Sequence, residues 1–214
     1  SLITIENTHN ACGGKILPFS YLTYLRAISD KHNLPIHMDG ARLWNALQEY
    51  KEEPKEIAKN VDSLSVCLSK GLGSPIGSLL IGTEKFIKKA RRIRKALGGG
   101  MRQTGFVASA GLVALNDFKT GILKRDHERI KRVANVIKDF KYFTLDTDVQ
   151  TNILFFRNNS HSYSDNDVLA FFKKFNILIS LWEEDLFRIV FHRDLTDMNI
   201  DYIIEVFKKL NQLF

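Results

Sequence analysis

The stretch that most constrains the fold is an apolar run that ends in a serine and a lysine and then opens into a glycine-rich turn. It reads SVCLSKGLGSPIG over residues 65–77. The apolar residues 64–68 predict a buried strand, and the glycines after Lys70 allow the backbone to approach a ligand closely. A lysine at the edge of a sheet loses part of its hydration, which favours the neutral amine that forms a Schiff base with an aldehyde. The alternative is a surface lysine in a turn, because most lysines are exposed.

Strand and helix patterns alternate through the first part of the chain. The segments predicted as strands are 2–6, 34–38, 64–68 and 76–82. A helix with apolar residues at helical spacing lies between the first two strands, with Ser20 as its expected N-cap and Asn33 as its stop. Strand–helix–strand units at this spacing predict an α/β fold with a mostly parallel sheet. The large domain predicted in this way covers residues 1–120.

The pattern changes after residue 120. A long charged helix over 124–140 is followed by predicted strands at 142–145, 153–157, 177–181 and 187–191, interleaved with predicted helices at 165–175 and 198–213. This arrangement predicts a small α+β domain over 121–214, which the charged helix links to the first domain.

Composition excludes several classes of function. The net charge of +7 comes largely from two helical stretches, 85–95 and 124–138, and no aromatic stacking platform accompanies them. Solvated helix faces therefore explain the charge, and we expect no nucleic-acid partner. Cys12 and Cys67 lack metal-site spacing, so we expect no metal site, no disulfide framework and a cytoplasmic location. No apolar run reaches membrane-spanning length and no signal-like start is present, so we expect no membrane partner.

Three residues with complementary chemistry stand at or near predicted strand ends: Asp39, Lys70 and Arg188. Open α/β sheets bind ligands beyond the carboxyl ends of their strands. Pyridoxal phosphate chemistry needs an amine for the cofactor aldehyde, a carboxylate at the pyridine nitrogen and a guanidinium that grips the substrate carboxylate. Arg42 lies in the first turn of the helix predicted from Ala41, where the helix dipole disfavours a cation. We expect it to have a specific role beside Asp39, the alternative being a structural ion pair.

Five motifs resemble those of low-specificity L-threonine aldolases and follow the same order along the chain. They are ENTHN at 6–10, HMDGAR at 37–42, LSKGLGSPIGS at 68–78, GGGMRQ at 98–103 and FRIVFH at 187–192. The resemblance runs the whole length of the chain. It implies the fold-type I architecture of pyridoxal phosphate enzymes and assembly as a homo-dimer or tetramer. It also implies the cleavage of L-threonine or L-allo-threonine to glycine and acetaldehyde.

The resemblance assigns cofactor roles to four residues. Lys70 corresponds to the lysine that bonds to the cofactor aldehyde, and Asp39 corresponds to the partner of the pyridine nitrogen. Arg102 and Lys95 fall where residues of the family approach the cofactor phosphate, from a neighbouring subunit. We therefore expect pyridoxal 5'-phosphate as the cofactor, with Lys70 and Asp39 as the catalytic residues.

The resemblance also assigns substrate contacts. Arg42 and Arg188 correspond to the pair that grips the carboxylate of the amino-acid substrate. Asn7 and His9 would line the floor of the pocket.

The chain also departs from the family pattern, because it is shorter at its N-terminal end. A Gly-Thr or Gly-Ser phosphate cradle and an aromatic side chain that stacks on the cofactor belong to that part of the family sequence. We therefore expect the chain to be a fragment, with the later part of the cofactor domain and the C-terminal domain. The alternatives are another fold-type I reaction, namely serine hydroxymethyl transfer or β-elimination, and a non-catalytic fragment.

Overall fold

The computed structural model describes residues 1–213 and divides the chain into two compact units. The first unit consists of Ser1–His9 and Ile16–Leu123, and the second consists of Asn10–Lys15 and the chain from Lys124 onward. Segment 10–15 thus belongs to the second unit although it follows the first strand directly, a placement that no sequence pattern indicated.

The first unit is built on a four-stranded sheet with the order β1-β2-β3-β4. The strands are β1 (Ile3–Glu6), β2 (Ile36–Gly40), β3 (Ser63–Cys67) and β4 (Ser78–Gly82). The first three strands are parallel and β4 is antiparallel to β3. This arrangement confirms the α/β fold with a mostly parallel sheet.

Five helices belong to this unit: α1 (Phe19–His32), α2 (Leu43–Glu49), α3 (Pro54–Ala58), α4 (Glu84–Ala96) and α5 (Thr104–Phe118). The expected capping role of Ser20 is wrong, because α1 begins at Phe19 and has no side-chain cap. The carbonyl of Pro18 accepts the amides of Tyr21 and Leu22 instead, at 3.0 and 3.2 Å. Asn33 ends the helix in the left-handed conformation, as expected.

The two faces of the first sheet differ. Met38, Leu64 and Val66 are buried and pack with residues of α1, α2 and α3 in one apolar core. Alternate residues of the same strands point to the opposite face, and there Thr4 and Asp39 are exposed. The face that carries Asp39 is therefore accessible in this chain.

The second unit contains three helices and a second sheet. The helices are α6 (Ile122–Ile137), which belongs to this unit from Lys124 onward, α7 (Asp165–Lys174) and α8 (Asp197–Leu213). That sheet is antiparallel and has the order β5-β6-β8-β7, from the strands β5 (Phe143–Leu145), β6 (Ile153–Asn158), β7 (Ser180–Glu183) and β8 (Leu186–Val190). Its core is rich in phenylalanine, including Phe156 stacked on Phe187 with ring centroids 5.1 Å apart.

The strand predicted over 177–181 is displaced toward the C-terminus. Asn176 has a φ of 56°, and the amide of Ile177 donates to the carbonyl of Phe172 at 3.0 Å. These residues therefore close the end of α7 and are not available to pair with β8, so β7 begins only at Ser180.

Within residues 1–213, no single helix is long and apolar enough to cross a membrane. Only α5 and α6, taken together as a bent pair, have the length and composition to do so.

Candidate active site

Asp39 and Lys70 follow two neighbouring parallel strands of the first sheet. Asp39 is the penultimate residue of β2, and its register partner on β3 is Ser65. Lys70 lies in the turn just beyond Cys67, the last residue of β3. Because β2 and β3 run in the same direction, the carboxylate and the amine both belong to the carboxyl edge of the sheet, where open α/β sheets bind ligands.

The turn that carries Lys70 is closed by backbone hydrogen bonds. The amide of Gly73 donates to the carbonyl of Lys70 at 2.8 Å, and the amide of Leu68 donates to the carbonyl of Gly77 at 2.9 Å. A Cβ at Gly71 would lie 2.8 Å from Leu123 Cδ2, so the turn packs closely against the Leu123 side chain at this glycine. The side chain of Lys70 is exposed, which is contrary to the expected loss of hydration in this chain.

Asp39 is fixed by its own backbone surroundings. Its Oδ1 accepts the amide of Ala41 at 2.9 Å, and its carbonyl accepts the amide of Asn7, the residue after β1, at 2.9 Å. The side chain nevertheless remains exposed. The carboxylate is thus oriented by local hydrogen bonding while it is open to a ligand.

Arg42 occupies the N-cap position of α2 without a side-chain cap, so it lies one position before the helix rather than in its first turn as expected. It is half-buried. Burial lowers the pKa of its guanidinium, and the negative charges of Glu6 and Asp39 act in the opposite direction. Arg42 therefore lies within electrostatic reach of two carboxylates, and its placement against the helix dipole coincides with the candidate site.

Asn7 and His9 have well-defined partners in the first unit. Asn7 is fully buried: its amide donates to the Tyr50 hydroxyl at 2.8 Å, and its Oδ1 accepts the amide of Leu17 at 3.3 Å. His9 Nε2 lies 3.7 Å from a carboxylate oxygen of Glu6. These contacts account for Asn7 structurally, and the roles of both residues toward a substrate stay predictions.

Lys95 and Arg102 flank a glycine turn that joins α4 to α5. A Cβ at Gly100 would lie 2.6 Å from Lys95 Cδ and 3.0 Å from its Nζ, so glycine allows the lysine side chain to lie against the turn. Both cations are exposed. Cationic side chains beside a glycine backbone are a suitable environment for a phosphate group.

Gly40 permits the close packing that holds Asp39 in place. A Cβ at this position would lie 2.8 Å from the backbone oxygen of Ser65 and 3.1 Å from Leu43 Cβ. We expect Gly40→Ala to lower the free energy of unfolding by about 2 kcal/mol, because the ends of β2 and β3 must separate. Urea denaturation of the chain measures this loss.

Gly105 in α5 provides the matched control. A Cβ there meets no heavy atom within 4 Å. Gly105→Ala is therefore expected to leave the unfolding free energy unchanged or to raise it by up to about 1 kcal/mol, since alanine favours a helix. Equal losses in the two variants would contradict the packing argument.

Arg188 belongs to the second unit, whereas Asp39, Arg42 and Lys70 belong to the first. It lies in β8 between Phe155 of β6 and Ser180 of β7. Its Nη2 donates to Asn10 Oδ1 at 2.8 Å, and its guanidinium carbon lies 5.4 Å from the centroid of the Trp182 ring.

Sequence reasoning gave no role to Asn10 or Trp182. Asn10 is the last residue of the ENTHN motif, but its partner lies 178 residues away in the sequence. The only local signal for Trp182 is an aromatic residue before an acidic turn. Neither contact could be derived from residue spacing.

The donor set fits pyridoxal phosphate. The turn after β3 offers an amine at Lys70, β2 offers an oriented carboxylate at Asp39, and the glycine turn offers the cations Lys95 and Arg102. These are the groups that the cofactor's aldehyde, ring nitrogen and phosphate require. Among residues 1–213, no group of three or more His, Cys, Asp or Glu side chains is arranged to hold a metal ion.

Comparison with known proteins gives a consistent result. A family model described as beta-eliminating lyase matches residues 1–159. The low-specificity L-threonine aldolase of Escherichia coli K12 is 40% identical over 195 residues, which cover 91% of this chain and 56% of that protein. Low-specificity L-threonine aldolase 1 of Arabidopsis thaliana is 36% identical over 210 residues, which cover 97% of this chain and 58% of that protein. The chain thus spans between half and two thirds of the length of these curated relatives.

Solved structures show the same fold at lower identity. The Leishmania major threonine aldolase superimposes with a TM-score of 0.79 at 19% identity, over 97% of this chain and 60% of that one. A Sphingomonas wittichii serine palmitoyltransferase superimposes with a TM-score of 0.77 at 17% identity, over 99% of this chain and 55% of that one. These likenesses confirm the fold-type I architecture.

Proposed function

Because this chain belongs to the beta-eliminating lyase family, whose members depend on pyridoxal phosphate, we propose that it is part of a threonine aldolase. The reaction would cleave L-threonine or L-allo-threonine to glycine and acetaldehyde. The observation that supports this most is that Asp39 lies at the end of β2 and Lys70 just beyond the end of the neighbouring parallel strand β3. Both residues belong to motifs that resemble those of low-specificity L-threonine aldolases.

Each cofactor-binding residue has a distinct task in this proposal. Lys70 would hold the cofactor covalently through Nζ, Asp39 would keep a proton on the ring nitrogen, and Arg102 and Lys95 would bind the phosphate. When bound, the cofactor withdraws electrons from the Cα of an amino acid, which weakens the bonds to that carbon. Asp39 is suited to its task because its Oδ1 is already oriented by the amide of Ala41.

The arginines would bind the substrate carboxylate. Arg42 is suited to this task because it is half-buried, so that a carboxylate meets a partly desolvated donor. We propose the same role for Arg188 in the second unit. A bidentate grip fixes the orientation of the substrate and thereby selects the bond at Cα that breaks.

Product analysis tests the proposed reaction. The purified chain, with pyridoxal phosphate added, is incubated with L-threonine and L-allo-threonine, and acetaldehyde is measured with a coupled reductase. We expect acetaldehyde and glycine in equal amounts. Release of aldehyde at the rate of free pyridoxal phosphate without protein would contradict the proposal for this chain.

β-Elimination is the second candidate, because the family model that matches the chain is described by that reaction. It would release ammonia and a keto acid from a substrate such as L-serine. The same assay mixtures distinguish the two reactions, since pyruvate and ammonia appear in one case and glycine and aldehyde in the other.

We also propose that the chain forms a homo-oligomer through the surface of α5. Several apolar side chains are largely exposed on α5 and just before it: Leu97, Met101, Phe106, Leu112 and Val113. Met101 and Leu112 also line a mainly apolar cavity of about 460 Å³, together with further residues of α5 and residues in and just before β4. Exposed apolar side chains of this kind favour a protein partner, and a second copy of the chain is the most economical one.

Phe106 is the residue to change, since its side chain is 89% exposed. We expect Phe106→Asp to shift the chain toward the monomer by at least about tenfold in dissociation constant, because a charge would be buried at the interface. Sedimentation velocity over a range of concentrations measures the shift. Tyr24→Asp, on the exposed surface of α1, is the control and should leave association unchanged. A monomeric wild-type chain would refute this surface as an interface.

A further inference from the structure

The guanidinium of Arg188 is held by two side chains from separate parts of the second unit. Asn10 accepts a hydrogen bond from Nη2 at 2.8 Å, and the ring of Trp182 lies 5.4 Å from the guanidinium carbon. An arginine side chain rotates about several bonds unless its guanidinium is held in place. When such contacts hold it in the free protein, the entropy cost of ordering it is not incurred on ligand binding. Both contacts restrict the guanidinium itself rather than the aliphatic stem.

A bulge places Trp182 in this position. The register between β7 and β8 pairs Leu181 with Phe187 and Glu183 with Leu186, which leaves Trp182 as the extra residue. Its ring also meets the ring of Phe155 edge to face, with centroids 5.6 Å apart. Phe155 is the register partner of Arg188 on β6. The indole of Trp182 therefore contacts both members of this cross-strand pair, and the ring of Phe155 supports it.

The loop that carries Asn10 is anchored on the same unit. Lys15 Nζ donates to the carbonyl of Asp148 at 2.7 Å, and Thr151 Oγ1 donates to the carbonyl of Gly14 at 2.8 Å. Gly13 and Gly14 have φ angles of 76° and 70°, and a Cβ at Gly13 would lie 2.8 Å from Thr147 Oγ1. The glycines therefore allow the segment to lie close to the sheet, and the anchors keep Asn10 within reach of Arg188.

We propose that Asn10 and Trp182 are positioning residues that orient the Arg188 guanidinium for an amino-acid carboxylate. The inference rests on the proposed function, in which Arg188 binds that carboxylate. Asn10 fixes one edge of the planar guanidinium by a hydrogen bond, and Trp182 fixes its plane by a cation–π contact. Trp182 consequently reports on the occupancy of Arg188, because a bound carboxylate changes the charge that lies over its ring.

The first test measures orientation without any ligand. In the chain labelled with ¹⁵N-arginine, we expect separate, slowly exchanging side-chain Nη–H signals for Arg188, assigned with Arg188→Lys. Asn10→Ala should merge or broaden these signals, whereas Asn159→Ala should not, because the Asn159 amide binds Thr144 instead. Signals that stay unchanged in Asn10→Ala would overturn the positioning role of Asn10.

The second test measures carboxylate binding with Trp182 fluorescence. The chain has only two tryptophans, so Trp44→Phe leaves Trp182 as the only reporter. Glycine is titrated into this variant with pyridoxal phosphate present, and glycinamide, which lacks the carboxylate, is the control ligand. We expect a saturable change with glycine and none with glycinamide.

Variants then separate the carboxylate-binding role of Arg188 from the positioning role of Asn10 and Trp182. In the Trp44→Phe background we expect Asn10→Ala to weaken glycine binding about tenfold, by loss of a hydrogen bond to a charged group. In the wild-type background, calorimetry should show a loss of about threefold for Trp182→Leu, and Trp182→Phe should restore most of it. Melting temperatures of the variants should stay within a few degrees of their parents, which separates positioning from unfolding.

The outcomes are distinguishable. If Arg188→Ala weakens glycine binding but Asn10→Ala and Trp182→Leu do not, the positioning inference is wrong and the carboxylate role of Arg188 stands. If Arg188→Ala leaves glycine binding unchanged, or if glycine does not bind the wild-type chain, the role of Arg188 and the inference built on it are both overturned.

Discussion

Lys70→Ala is expected to abolish the specific covalent attachment of pyridoxal phosphate to this chain. The wild-type chain, mixed with the cofactor at low concentration and reduced with borohydride, should carry the cofactor on the peptide that contains Lys70. The amine belongs to a closed turn at the carboxyl edge of the sheet, and β3, which precedes this turn, pairs with β2, the strand that carries Asp39. An amine at this edge would bond to the aldehyde while the Asp39 carboxylate contacts the ring nitrogen and cations contact the phosphate.

Intact-mass and peptide-mass spectrometry measure this result. Lys31→Ala is the matched control, because Lys31 is an exposed lysine in the last turn of α1. It should leave the modification of the Lys70 peptide unchanged. A specific adduct that persists in Lys70→Ala, or wild-type labelling spread evenly over the exposed lysines, would refute the assignment of Lys70.

The elements that carry the catalytic candidates are predictable because their sequences are locally consistent. The apolar run before Lys70 and the glycines after it predict a strand and a turn, and both are found. The alternation of strands and helices predicts the parallel pairing of β1, β2 and β3, since crossovers of this length require it. Asp39 and Lys70 therefore fall at one edge of the sheet by local pattern and connection length alone.

Exposure of Lys70 was not predictable from this pattern. The expected dehydration rested on the position of Lys70 at the edge of the sheet, whereas Lys70 and Asp39 are exposed in residues 1–213. Burial is a property of the whole assembly, while a strand pattern reports only on the strand itself. The chain covers about 56% of the length of the E. coli relative.

The surroundings of Arg188 were also beyond sequence reasoning, for a different reason. Trp182 contacts the guanidinium because one residue of β7 has no register partner, and a bulge reverses the alternation on which face assignments depend. Asn10 contacts it because a loop early in the chain packs on the second unit. A contact over this sequence separation leaves no periodic signal, so only coordinates reveal it.

Asp126→Asn is expected to change the pH dependence of stability more than any other single substitution in the second unit. The Asp126 side chain lies in α6 with 1% exposure, and neither carboxylate oxygen has a hydrogen-bond partner in the part of the chain that the structure describes. Burial raises the pKa of Asp126 from 3.8 to about 6, against the opposing effect of positive charges that include Arg129 and His192.

The sign of the effect follows from proton binding. Between the unfolded and folded pKa values of Asp126, the folded chain holds a proton that the unfolded chain has lost, so stability falls as pH rises from about 4 to about 6. A shift of this size corresponds to about 3 kcal/mol of unfolding free energy, present below that window and lost above it. Asp126→Asn removes the titrating group and should abolish this part of the fall.

Urea denaturation of both chains at several pH values between about 4 and 7 measures the difference. A buried asparagine amide without a partner costs about 1–3 kcal/mol, but that cost is the same at every pH. The difference in unfolding free energy between variant and wild type should therefore rise by about 3 kcal/mol across the window, whatever its starting value. Asp139→Asn, at an exposed aspartate just after α6, should give a difference that is nearly flat. A flat difference for Asp126→Asn as well would mean that the carboxylate has a partner or is hydrated in the folded chain.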